Sequence, residues 1–177
     1  MNTPSSAVLA LGGGCFWCLE GAFAALRGVL AVECGYSNGQ PAPISYEAVC
    51  TGQTGCAEVV HIRYDPAQIT TAQLLQVFFA LHDPSTLNRQ GADVGTQYRS
   101  GIYTTSAEQN QTAQAAIADL AQQGIHAVTE VAPLQNYQKA EDYHQGYAQQ
   151  HPQQPYCRLV ALPKLEKARA QFGAWMA

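Results

Sequence analysis

An α+β fold is predicted for this chain. Strand-like and helix-like segments are mixed without the strict alternation that builds a parallel sheet. A glycine-rich break, Gly12-Gly-Gly14, follows the first apolar run and marks a tight strand-to-helix junction. No repeat, linker or shift in composition divides the 177 residues, so one domain over residues 1–177 is expected. With 47% hydrophobic and only 12% charged residues, the chain has the apolar surface to bury a core, which excludes a disordered segment.

Each element has a local reason. Ala7–Leu11 is a short apolar run that reads as a buried strand. From Cys15, Phe16, Leu19, Phe23 and Leu26 recur at helical spacing, so a helix runs to about Arg27, where Gly28 closes it. Val29–Gly35 is a second strand and Tyr36-Ser-Asn-Gly39 a loop, which Pro41 and Pro43 keep irregular to about Tyr46. Ala57–Tyr64 alternates as a strand and Asp65-Pro66 ends it. Leu74, Leu75, Phe78 and Phe79 share a face of a helix over Thr71–Leu81, capped by Thr70 or Thr71. Asp83–Gln97 has no periodicity, and a loop of that length inside a compact domain is usually functional. Gly101–Thr104 is a strand. An Ala- and Gln-rich helix follows from Thr105 to Gln123, capped by Thr105 or Ser106 and stopped by Gly124. His126–Val131 is a last strand, and short helices lie near Glu141 and Lys164.

Charge and cysteine usage narrow the function. The net charge of −4, with Lys and Arg scattered singly, argues against nucleic acid as a partner. Met1–Ser6 is polar without a basic region, and Ala7–Leu11 is too short for a signal peptide or a membrane span. A soluble, cytoplasmic protein with no membrane partner is expected. A cytosol keeps thiols reduced, so the six cysteines read less well as a disulfide framework. Cys15-Phe-Trp-Cys18 has the spacing of half a zinc site, but Cys50 and Cys56 are too far apart to complete it, so no metal is expected. Reactive thiols remain. Cys15 falls at the first turn of a helix, where free amides and the helix dipole favour a thiolate and a lowered pKa. A buried structural cysteine after a plain turn is the competing reading. Phe16 and Trp17 fit either an apolar slot beside a nucleophile or ordinary core. The glycines do not make a phosphate cradle, since no Lys-Ser/Thr follows them.

Four ordered segments then point to one family. Gly14-Cys-Phe-Trp-Cys-Leu-Glu20 resembles the signature of the peptide methionine sulfoxide reductase A family. Tyr46–Glu58, then His82-Asp-Pro84 with Arg89–Arg99, then Ala140-Glu-Asp-Tyr-His-Gln145 resemble its further blocks. The resemblance implies a two-layer α+β sandwich with a mixed sheet, flanking helices and a ferredoxin-like core. It implies reduction of the S epimer of methionine sulfoxide, free or in oxidised proteins, with no cofactor and no metal. Cys15 matches the nucleophile, and Phe16 and Trp17 the aromatic pocket for the substrate methyl group. Glu58 matches the acid that protonates the sulfoxide oxygen, Tyr46 and Tyr98 phenols that hydrogen-bond it, and Asp93 a supporting carboxylate.

Chemistry makes those roles coherent. Attack on the sulfoxide sulfur builds negative charge on oxygen, which needs proton donors in place. Glu58 must then be protonated near neutral pH, through burial near Trp17. Cys15 becomes a sulfenic acid, a second thiol condenses with it, and thioredoxin resets the disulfide. The resolving thiol is Cys157, brought over by a mobile tail, or Cys18 one helical turn away; the tail position is preferred and Cys18 stays open. Cys34, Cys50 and Cys56 are expected to be buried bystanders. Cys56 stands where the family usually has His, and could add a stray thiol beside Glu58. His144 is expected to support the site by hydrogen bonds, and the protein to be a monomer. The competing functions are a disulfide oxidoreductase built on Cys15 and Cys18, or a redox sensor.

Overall fold

The structure, a computed structural model, describes residues 5–177, so most of the polar start Met1–Ser6 lies outside it. A central antiparallel trio forms first: β1 (Ala7–Gly12) and β2 (Val29–Ser37) flank β3 (Ala57–Tyr64). On one side β6 (Gly101–Thr104) pairs antiparallel with β1, and β7 (Glu130–Pro133) joins β6 in parallel. On the other, β8 (Gln138–Lys139) pairs antiparallel with β2. The result is a six-stranded mixed sheet in the order β7-β6-β1-β3-β2-β8.

The period-2 alternation of β1 and β3 sorts residues between its faces. Leu9, Leu11, Val60, Ile62 and Tyr64 lie in the main core under the helices. Ala10, Ala57, Val59 and Tyr103 lie on the opposite face, covered by Leu134 and Tyr137. Glu58 has the parity of Val60, so the strand sends its carboxyl to the helix side, where it is 2% exposed. That parity makes a charged residue part of the core and places the site.

The helix layer holds α1 (Phe16–Ala24), α3 (Thr71–Leu81), α4 (Ala107–Gln122) and α6 (Leu162–Phe172). Phe16, Leu19 and Phe23 of α1 are fully buried with Leu74 and Phe78 of α3, each such side chain contributing about 1.5–3 kcal/mol. α3 begins with a capping box between Thr70 and Gln73, and Ser106 caps α4.

Several expectations are corrected. α1 ends at Ala24, before Arg27, and a short turn reaches Gly28 in the left-handed region at φ 93°. The last predicted strand starts later, at Glu130, where its amide meets the Ser100 carbonyl. α2 (Tyr46–Cys50) was not expected, since five residues are too few to show a helical period; Ser45 caps it. The long loop holds a hairpin of β4 (Arg89–Gln90) and β5 (Asp93–Val94), then a 3-10 turn over Thr96–Tyr98. Near Glu141 there is a 3-10 turn over Asp142–His144, followed by α5 (Tyr147–Gln150). The tail is no free arm: a widened, π-type turn over Cys157–Ala161 leads into α6, which packs on α1 and α3.

Candidate active site

The junction after β1 sets Cys15. Gly14 adopts φ +92°, and a Cβ there would lie 2.8 Å from the Gln90 side chain, so both backbone and space call for glycine. Gly13 lies against the His82 ring in the same way. His82 is buried and held by the Phe78 carbonyl at 2.7 Å and Ser100 Oγ at 2.8 Å; burial lowers its pKa to about 4, so it is a neutral prop under the turn. Cys15 follows as the N-cap of α1, partly exposed, with its carbonyl accepting from the Cys18 amide at 3.0 Å.

Beneath Cys15 lies the acid. Glu58 Oε1 accepts from the Phe16 amide at 3.3 Å, which ties β3 to the start of α1. Burial pushes its carboxyl up to about 8, the charges of Asp93 and Cys18 add to the rise, and the Phe16 amide opposes it. Glu58 is therefore mostly a neutral proton donor near pH 7. Tyr46 and Tyr98 are half-buried beside it, and burial first, then the Glu58 charge among others, raises both phenols. Glu141 accepts from the Tyr46 amide at 3.0 Å and the Tyr36 hydroxyl at 2.9 Å, fixing the start of α2. The Cys50 thiol is exposed, which corrects the expectation of a buried bystander.

Trp17 and His144 build one wall. Trp17 Nε1 donates to His144 Nδ1 at 3.2 Å, and its ring stacks on Tyr147 at 3.9 Å and 9°. His144 in turn touches Phe16 (5.1 Å) and Tyr46 (4.6 Å) between ring centroids. Because Nδ1 accepts, the imidazole is neutral with its proton on Nε2, in keeping with a pKa lowered by burial. Trp17 and Cys15 stay partly exposed.

Cys18 lies one helical turn beyond Cys15, 2% exposed. Its sulfur is 3.3 Å from the Tyr156 hydroxyl, and Tyr156 donates to Asp93 Oδ2 at 2.7 Å. The neighbouring Cys15 thiol chiefly draws Cys18 down to about 7. Burial, the neighbouring Cys18 thiol and the Glu58 charge push Cys15 well above the usual thiol range, with only the Trp17 amide opposing. The expected lowering of Cys15 is thus reversed: desolvation and anionic neighbours outweigh one helix-terminal amide. Cys157 is fully buried beside Cys18 and its thiol is raised by burial. Cys34 and Cys56 are buried, and Cys56 donates to the Gln40 carbonyl at 3.7 Å, so it is no stray thiol of the site. All six thiols are free.

These features meet in one place: a buried neutral acid, two phenols, an aromatic wall and two neighbouring thiols at a helix start. A family model described as peptide methionine sulfoxide reductase matches residues 7–175. The chain belongs to the peptide methionine sulfoxide reductase family. It is 48% identical over 179 residues to peptide methionine sulfoxide reductase MsrA of Polynucleobacter asymbioticus, covering 99% of this chain and 94% of that one. The relative of the same name from Chromobacterium violaceum is 54% identical over 166 residues, with 92% and 94% covered. Among solved structures, Mxr1 of Saccharomyces cerevisiae in reduced form superposes with a TM-score of 0.82 at 34% identity, covering 86% of this chain and 90% of that one. Methionine sulfoxide reductase A of Corynebacterium diphtheriae gives 0.76 at 36% identity, with 85% and 77% covered. Membership makes the chain an oxidoreductase of this type, and the α+β, mixed-sheet fold agrees with these neighbours.

The structure gathers Cys15, Phe16, Trp17, Cys18, Tyr46, Glu58, Asp93 and Tyr98 around the start of α1, with Cys157 behind Cys18. Sequence reasoning missed Tyr156, Tyr147 and Glu141. Tyr147 follows the fourth block by two residues and Tyr156 precedes Cys157, a proximity that could have drawn attention to both. Among the described residues, no helix is long and apolar enough to cross a membrane, and no group of three or more His, Cys, Asp or Glu could hold a metal ion.

Proposed function

We propose that this chain reduces the S epimer of methionine sulfoxide, free or within proteins, with Cys15 as the nucleophile and Glu58 as the acid. The observation that carries the reading is the Glu58 carboxyl, buried beneath the start of α1, bound to the Phe16 amide at 3.3 Å and kept largely protonated at neutral pH. A carboxyl in that state serves little purpose in plain disulfide exchange, but it suits an oxygen that gains charge as sulfur is attacked. Tyr46 and Tyr98, half-buried nearby with raised phenols, hold their protons and steady the same oxygen. Phe16 and Trp17 take the substrate methyl group against the wall that His144 and Tyr147 hold in place.

The steps balance. The proton of the Cys15 thiol passes to Cys18, three residues on along α1 and drawn down to about 7, as the Cys15 sulfur attacks. Glu58 protonates the oxygen, which ends on Cys15 as a sulfenic acid while methionine leaves. Cys18 then attacks the Cys15 sulfur, and water carries off the oxygen. Cys18 is favoured over Cys157 as the resolving thiol because it lies three residues from Cys15 on α1 with its thiol drawn down, whereas burial raises Cys157. An external dithiol, thioredoxin, supplies the two electrons that reopen the disulfide.

The test measures consumption of S- and R-methionine sulfoxide by the wild type, Cys15→Ser, Glu58→Gln, Cys18→Ser and Cys157→Ser. Dithiothreitol or thioredoxin serves as reductant. Loss of only the S epimer, with Cys15→Ser inert and Glu58→Gln strongly slowed, supports the reading. Undiminished turnover in Glu58→Gln sinks the acid assignment.

A further inference from the structure

Tyr156 stands outside the roles described so far, yet its hydroxyl touches two of the groups they use. It lies 3.3 Å from Cys18 Sγ and 2.7 Å from Asp93 Oδ2. A phenol carries one proton. While that proton is donated to Asp93, the phenol oxygen can only accept, so Cys18 must be a thiol that donates its S–H. Once Cys18 is ionised, the phenol can turn its proton to the thiolate and release the carboxylate. The same hydroxyl can therefore serve both protonation states of the sulfur.

We propose that Tyr156 is a positioning residue for the resolving step, holding the Cys18 sulfur through a hydroxyl shared with Asp93. The inference rests on the reading of Cys18 as the resolving thiol. In that step the Cys18 sulfur bonds to the Cys15 sulfur and the S–O bond of the sulfenic acid breaks. The departing hydroxide takes the proton that Cys18 carried and leaves as water. The oxidising equivalent arrived with the substrate oxygen, so no further oxidant is needed.

The position of Tyr156 is built by the fold. It directly precedes the widened turn over Cys157–Ala161, a rare form that re-aims side chains and recurs at functional sites. Its ring meets Trp17 edge-on at 6.1 Å between centroids and packs in the buried cluster of Cys18 and Cys157. Facing Cys18 from every side are Cys15, Glu58, Asp93, Tyr156, Cys157 and Lys164. Of these charged or titratable groups, Tyr156 alone bonds directly to both the sulfur and a carboxylate.

Tyr156→Phe keeps the ring against Trp17 and removes only the hydroxyl. Rapid-quench single turnovers without external reductant separate methionine formation from disulfide formation, and a dimedone probe traps the sulfenic acid. Losing a hydrogen bond to an ionised sulfur should slow disulfide formation about tenfold more than methionine formation. Trapped sulfenic acid should rise, and the pH midpoint of the disulfide step should move upward, since the thiolate has lost a donor. A ring-fluorinated tyrosine at position 156 is a stronger donor and should move that midpoint downward. Equal slowing of both steps, or unchanged midpoints in both variants, overturns the inference. Cys18→Ser separates the two levels. If it still forms a disulfide at the wild-type rate, the reading of Cys18 fails. If it forms none while Tyr156→Phe behaves as wild type, only the role of Tyr156 fails.

Discussion

Cys15 and Cys18 lie on one helix, three residues apart, and meet opposite surroundings. Cys15 sits at the N-cap above a buried carboxyl, and burial with its anionic neighbours holds its proton. Cys18 is more buried, yet the neighbouring Cys15 thiol and the field of Lys164 draw it down to about 7. The helix start acts on both and explains neither. Which sulfur keeps the proton is set by the donors and charges that other segments bring to each one.

The largest expected effects test this contrast directly. Cys15→Ser should form no methionine with any reductant, whereas Cys18→Ser should still form the first equivalent and lose thioredoxin-supported turnover. Identical loss in both variants, read by quantifying methionine per enzyme, would break the comparison. Next in size, Glu58→Gln should slow methionine formation by about a hundredfold or more, as removal of a placed general acid does. Single-turnover rates check it.

The pH profiles should diverge above neutrality. Glu58 acts as a proton donor, so methionine formation should lose rate as pH rises through about 8. Cys18 attacks as a thiolate, so disulfide formation should keep rising with pH over the same range. Matching profiles for the two steps would show that one group governs both. The smallest effect is on the scaffold. Gly14→Ala forces a side chain into φ +92° against Gln90 and should cost about 1–2 kcal/mol, read as a lower urea midpoint.

Much of the scaffold was legible from short-range pattern. The strand Ala57–Tyr64, the helix from Thr71 with its Thr70 cap, and the glycine turn before Cys15 all depend on neighbours within a few residues. α2 and β8 were not legible, because five and two residues carry no period and owe their form to distant partners. Glu141 holds Tyr46 in α2 from 95 positions away, and Gln138 binds Ile44 across 94. For the site, spacing pointed to Cys15 at a helix start and left Cys18 as a nearby partner. Glu58, Tyr46, Tyr98 and Asp93 came from family resemblance, since nothing local marks a strand glutamate or a loop tyrosine as reactive.

The main strands and helices, the place of Cys15 at a helix start and the membership of one family are thus written along the chain, because they depend on local pattern and matching motifs. The protonation of Glu58, the inverted order of the two thiols and the link from Cys18 through Tyr156 to Asp93 arise only when β3, the β4–β5 hairpin and the tail close on α1. The physical reason is that acidity follows burial and the groups within a few ångströms, and here those groups come from residues up to 138 positions apart.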